Sequence, residues 1–161
     1  MQWNAMAISL SAWATIVSAV DTGSALTQTE TVMEVTVRGS FDDVKQQLVL
    51  AIENRGLIVN HQSKVGEMLD RTGKDLGAAT RIYVRAEVLE FCSATLSRQV
   101  MEADPRLLAL CPYGIGIYTL PGEADSVHLV YRRPPSEGTP AAQILQQVDR
   151  LLHEIVQDAG R

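Results

Sequence analysis

Cys92 in EFCSATLSRQV and Cys111 in ALCPYGIGIY are the only two cysteines in the 161 residues of the chain. Sulfur in that arrangement has three uses. Outside the cytosol, two cysteines in one small domain commonly pair as a disulfide. Closing a loop of about twenty residues in this way stabilises a fold by roughly 3 kcal/mol in the chain-entropy picture. Alternatively, Cys92 stands just before a helix that Ser93 opens, where free amides and the helix dipole favour a thiolate. With Cys111 near, such a thiolate would serve as half of a redox couple, a sulfur acceptor, or a soft ligand for metal or haem iron. In the third use, both cysteines are inert core residues.

Other residues that could join this chemistry are few. His61 closes a strand on its apolar face, and with Met68 it is the auxiliary ligand most readily brought beside a sulfur site. His128 alternates outward on its strand and His153 lies on the last helix, so both read as solvent-facing or structural. The sequence contains no HExxH, CxxC or CxxCH, which argues against a zinc protease site, a thioredoxin-type pair and covalent c-type haem. Ser93 and Ser97 have no His/Asp set that singles them out as nucleophiles. Arg132-Arg133 before Pro134-Pro135 reads as a solvated strand end, and Asp42-Asp43 as acids favoured at a helix start. A conventional enzyme is therefore not expected. The Cys92/Cys111 region is where function would sit, as a disulfide, a redox pair or a cofactor ligand.

Compartment decides among these uses. Residues Ala5 to Val20, AMAISLSAWATIVSAV, are apolar or small, no charge precedes Asp21, and no Lys or Arg precedes Arg38. Small residues Gly23 and Ala25 follow at positions suited to signal peptidase. The segment reads as a signal peptide over residues 1–25, with the terminal amine as its only positive charge. It is short and rich in Ala and Ser for a spanning helix, and a buried N-terminal helix and a retained membrane anchor are the alternative readings. The expectation is a periplasmic or secreted protein with no stable membrane insertion after cleavage. A net charge of −5 and a pI near 5.1 argue against a nucleic-acid partner and against docking on anionic lipid. Hydrophobic residues make up 46% and charged residues 20%, enough for one core without metal. One domain is expected over residues 26–161, with a small ligand, a partner protein or a second copy as candidate partners.

The elements that would position the cysteines follow from periodicity. VMEVTVR alternates as a half-buried strand with Met33, Val35 and Val37 inward. Ser40 caps a helix whose stripe is Phe41, Val44, Leu48, Ala51, Ile52 and Arg55, with Gly56 at its end. LIVNH forms a strand with Leu57, Val59 and His61 on one face. Ser63 caps a short helix burying Val65, Met68 and Leu69, and Thr72-Gly73 and Gly77 loosen the chain after it. RIYVRAEVLEF is a longer strand with Ile82, Val84, Ala86 and Val88 on one face. Ser93 opens a helix that stops before Pro105. YGIGIYTL is a strand with Ile115 and Ile117 on one side. Gly114 and Gly116 lie on the other, where a helix or ligand could come close. SVHLVYR returns as a hairpin partner with Val127, Leu129 and Tyr131 inward. Thr139-Pro140 starts a last helix, about residues 139–158, carrying Ile144, Leu145, Val148, Leu151, Leu152 and Ile155. Helices that do not alternate regularly with strands favour an α+β antiparallel sheet of four to five strands with helices packed on one face. RGSFDD after the first strand is not a phosphate loop, which weighs against a doubly wound sheet.

Taken in order, SFDDVKQQLVLAIENRGL, KVGEMLDRTG, FCSATLSRQVMEADP, LCPYGIGIY and VYRRP resemble the bacterial domain-of-unknown-function family 302, over about residues 32–135. The resemblance implies a TBP-like α+β sheet and, in some members, export. It implies no established activity and no DNA binding. A common family pattern has Pro before the second cysteine and Asn-Pro after the first. Here the order is Cys111-Pro112, and Ser93-Ala94 follows Cys92.

Overall fold

The computed structural model describes residues 31–78, 80–135 and 137–161. The expected leader, residues 1–25, lies outside them. Strands β1 (Val32–Arg38), β2 (Val59–Ser63), β3 (Arg85–Phe91), β4 (Tyr113–Thr119) and β5 (Ser126–Arg132) form one antiparallel sheet in the order β1-β5-β4-β3-β2. Helices α1 (Phe41–Glu53), α2 (Val65–Asp75), α3 (Ala94–Ala103) and α4 (Ala142–Ala159) and a 3-10 helix (Pro105–Leu110) complete the fold. The fold class is the expected α+β, with a five-stranded open sheet.

One face of the sheet holds the core. Met33, Val35 and Val37 of β1, Leu89 and Phe91 of β3, Ile115 and Ile117 of β4, and Val127, Leu129 and Tyr131 of β5 are buried beneath Leu48 and Ile52 of α1 and Leu145, Val148, Leu152 and Ile155 of α4. The period-2 pattern of the strands and the stripes of the two long helices therefore meet as their sequences require. Ser40 caps α1 in the expected way. Its Oγ accepts from the Asp43 amide at 3.1 Å and lies 2.6 Å from Asp43 Oδ2. Arg55 ties the end of α1 to α4 through Asp158 at 2.6 Å, and the Arg55 guanidinium holds the Asp158 carboxyl below the usual carboxylate range.

Four local readings change. First, β3 starts at Arg85 and its core face is Leu89 and Phe91, while Ala86 and Val88 point the other way. Both faces of this stretch carry apolar residues, so alternation alone could not choose. The polar members of the core side are held by α1 and β2. Glu87 is buried with Lys45 at 2.6 Å and Gln62 at 2.7 Å, and Arg85 stacks on the Phe41 ring at 3.9 Å while reaching Asp42 at 2.8 Å. Second, the register of β2 shifts between Val59, opposite Phe91, and His61, opposite Glu90. The irregularity turns His61 to the face opposite Val59, and His61 is exposed. Third, Ser63 ends β2. α2 starts after Lys64 without a side-chain cap and continues through Gly73 to Asp75. Its buried residue is Gly66, and Met68 is exposed. Fourth, Thr139 caps a turn ahead of α4, its Oγ1 accepting from the Ala141 amide at 3.2 Å, and the helix proper begins at Ala142. α3 stops before Pro105 as expected, and Pro105–Leu110, for which the sequence predicts no element, forms the 3-10 helix, which Asp104 caps through the Arg106 amide at 3.0 Å.

α1, α3 and α4 share the core side, whereas α2 meets β3 at Ala86, whose side chain lies on the other face. The contact is backbone-tight: a Cβ built on Gly66 would sit 2.8 Å from the Ala86 nitrogen. Alanine in a helix interior is favoured over glycine by about 1 kcal/mol. A clash with backbone that cannot rotate away costs about 1–3 kcal/mol. Gly66→Ala should therefore lower stability despite the better helix former, by up to about 2 kcal/mol, read as a lower urea midpoint at unchanged m-value. An unchanged or higher midpoint would show that α2 is not seated on β3 in this way.

Candidate functional site

The β3–β4 register decides where the sulfurs lie. Phe91 pairs with Tyr113 at the end of the ladder, so Cys92 leaves β3 beside the Cys111-Pro112 step that enters β4. α3 and the 3-10 helix carry the chain out and back between them, with Ser93 capping α3 through the Leu96 amide at 3.4 Å. The two Sγ atoms lie 3.0 Å apart. They are two free thiols in contact, not a disulfide, whose S–S length is about 2.05 Å. Both are half-buried. Ser97 Oγ stands 3.8 Å from Cys111 Sγ and donates to the Tyr113 hydroxyl at 3.4 Å. Ser97 and Tyr113 are the members of this cluster that sequence reasoning did not gather. Their signal was the helical step from Ser93 to Ser97 and the strand start at Tyr113.

The electrostatics reverse the expected thiolate at Cys92. Burial, then the hydrogen bond and charge of Cys111, push its thiol up to about 11. The Tyr113 backbone amide favours the anion but does not outweigh them. Burial pushes the Tyr113 phenol up as well. The dipole of a ten-residue helix acts weakly on a side chain that precedes its cap, and desolvation wins.

The auxiliary ligands do not join the sulfurs. His61 sits on edge strand β2 opposite Glu90, and Met68 is exposed on α2, with Thr72 bonded to its carbonyl at 2.9 Å. Among the described residues no group of three or more His, Cys, Asp or Glu could hold a metal ion. Cys111 instead lines a groove of about 480 Å³ that wraps the end of the sheet, with Pro112, Glu90, Gly114, Arg132 and Pro134. The space above the two glycines of β4 is largely taken. A Cβ on Gly116 would lie 2.9 Å from Val130 Cγ2, and one on Gly114 would lie 3.3 Å from Val88 Cγ1. They are small because neighbouring valines lean over them, and the result is a flat apolar floor.

A second polar cluster lies on the same face and was not foreseen. His128 does face away from the core but is buried. Its Nδ1 is 2.9 Å from Glu34 Oε1 and its Nε2 is 2.8 Å from Glu123 Oε2. Tyr118 donates to Glu34 at 2.5 Å and stacks on the imidazole with centroids 4.6 Å apart. Each polar atom of the ring is occupied by a partner from β1 or the β4–β5 turn, so the cluster reads as a clamp. Nothing in the sequence signals it, since Glu34 and His128 are 94 positions apart.

The sequence pattern of the family described as Domain of unknown function DUF302 matches residues 33–159. The chain belongs to this family. DUF302 membership fits the sheet and helix order just described. The crystal structure of an uncharacterized conserved protein DUF302 from Bacillus stearothermophilus is similar in fold, with a TM-score of 0.66 and 17% sequence identity, covering 83% of this chain and 100% of that one. No curated protein matches this DUF302 chain. Among the described residues no helix is long and apolar enough to cross a membrane.

Two measurements test the site. With a pKa near 11, Cys92 in the reduced, folded protein should react with iodoacetamide at pH 7 about 100-fold more slowly than an ordinary thiol, the rate climbing about tenfold per pH unit until that pKa. Peptide mass spectrometry resolves the two cysteines, and a Cys92 rate already level at pH 9 would contradict the burial. His128→Ala should cost about 1–3 kcal/mol by leaving Glu34 and Glu123 without their shared partner, measured by urea unfolding. A change within error would show the clamp to be idle.

Proposed function

We propose that this chain is an exported, periplasmic DUF302 domain that acts by binding or assembly rather than as a conventional enzyme, and that Cys92 and Cys111 are its functional thiol pair. The observation that carries this reading is the 3.0 Å approach of the two sulfurs at the rim of a groove. The apolar run from Ala5 to Val20 supports export. In an oxidising compartment a dithiol this close becomes a disulfide with little backbone movement.

The chemistry is thiol–disulfide exchange with a disulfide-bearing thiol oxidoreductase as oxidant. Cys111 lines the groove and meets the oxidant first. Its sulfur attacks one sulfur of the oxidant's disulfide, giving a mixed disulfide and one partner thiol. The Cys92 sulfur then attacks Cys111 and displaces the second partner thiol, which takes the Cys92 proton. This chain loses two electrons and two protons, and the oxidant's disulfide gains both as two thiols. Among the described residues no His, Asp or Glu joins the two sulfurs in a metal-holding group of three, and the dithiol reading is the one carried forward.

Protein purified from the periplasm without reductant should be lighter by two hydrogen masses than the same protein after reduction, and its mature N-terminus should lie near Leu26. Reduction should lower the melting free energy by roughly 3 kcal/mol. An uncut cytosolic product, or equal masses with both thiols readily alkylated, would overturn the reading.

A further inference from the structure

The sheet face away from α1 and α4 is arranged in rows across the strands. Glu90 of β3 stands opposite Gly114 of β4, and the β4–β5 register, continued one position past Ile115–Tyr131, sets Arg132 on the other side of Gly114. The next row is Val88, Gly116 and Val130. Glu90 and Arg132 thus flank β4 at the same level, one strand to each side, bordering a flat floor of valine methyls and glycine backbone. Among the described residues neither side chain makes an ion pair. Arg132 is exposed and Glu90 is half-buried. α2 meets β3 at Ala86, two rows along from Glu90, and leaves this end of the face open.

A two-fold axis running parallel to β4 above Gly114 and Gly116 exchanges the β3 side of one copy with the β5 side of the other. It lays Glu90 of each copy over Arg132 of its mate, twice, and lays Val88 over Val130, twice. The strand on the axis carries glycine in both rows, and the Val88 and Val130 methyls from either side close over it, so the contact on the axis is methyl against methyl. Isologous interfaces require this self-complementarity. A partner of uniform charge would leave either the acid or the base opposed by its own sign.

We propose that the occupant of this face is a second copy of the chain, docked face to face through Glu90, Arg132 and the Val88/Val130 strip. The inference names the partner for the binding-or-assembly reading and rests on it, but it does not depend on the thiol chemistry. The two rows across β3, β4 and β5 offer roughly 200 Å² per copy from strand spacing and rise, well below the ~800 Å² of a standard interface. The dimer is accordingly a weak one.

Sedimentation equilibrium of the native protein between roughly 1 and 500 µM should show monomer–dimer exchange that weakens with added salt. Glu90→Arg and Arg132→Glu each set like charges across the axis and should weaken association at least about tenfold. The double exchange restores the pairs and should recover it. Circular dichroism and melting confirm the fold of each variant, and Glu90→Gln with Arg132→Gln gives a milder series, weaker by smaller factors, if a reversal unfolds. A monomer across the whole range, single reversals that associate as well as the parent, or a double exchange without recovery would each overturn the inference. The reduced-against-oxidised mass difference, read on the same samples, keeps the two proposals apart. Loss of the dimer with that difference intact removes only this one.

Discussion

The pairing of β3 with β4 is the constraint on which the rest of this structure depends. β4 is the central strand, so the register that sets Leu89 against Ile115 and Phe91 against Tyr113 aligns the middle of the core. The same register holds Glu90 level with Gly114 on the outer face and delivers Cys92 to Cys111 at the end of the ladder. A slip of one residue would turn the core side chains of β3 outward. It would also part the sulfurs and set Val88 against a different neighbour.

Charge is distributed so that the two faces differ in kind. On the core side Glu87 is buried, with Lys45 and Gln62 fixing its carboxylate from α1 and β2. On the outer side Glu34, His128, Glu123 and Tyr118 occupy one another. Among the described residues no buried side-chain nitrogen or oxygen lacks a partner. Both clusters join strands to segments remote in sequence, so they specify which neighbours meet as well as adding stability. Glu90 and Arg132 stand outside this pattern, and that is what marks their end of the sheet as a surface rather than a sealed wall.

Much of the fold was legible from period alone. β1, β4, α1 and α4 each bury one clean set of residues, and β5 alternates apolar residues onto one face, so a single face or stripe leaves little choice. β3 was not legible in that way, because Ala86 and Val88 on one side rival Leu89 and Phe91 on the other. The polar Arg85 and Glu87 belong to the core side only because Asp42, Lys45 and Gln62 come from elsewhere to meet them. The irregularity that turns His61 lies in pairing geometry, not in composition. Of the site, the two cysteines were evident by count and by their positions at element ends. The charge state of Cys92 was not, since it depends on how deeply the strand end is covered. The His128 clamp is wholly tertiary, and alternation gave the direction of its ring but not the carboxylates that close over it.

Strand β1 at the edge of the sheet has, among the described residues, its only strand neighbour in β5, ninety-odd residues later, and α4 then roofs both. Nothing made early in synthesis can complete the sheet, because its first strand waits on almost the last segment to emerge. Loop closure over such distances is slow. The β1–β5 edge is therefore the pairing that waits longest, formed only once nearly the whole domain has been made, while β2, β3 and β4 can pair before it.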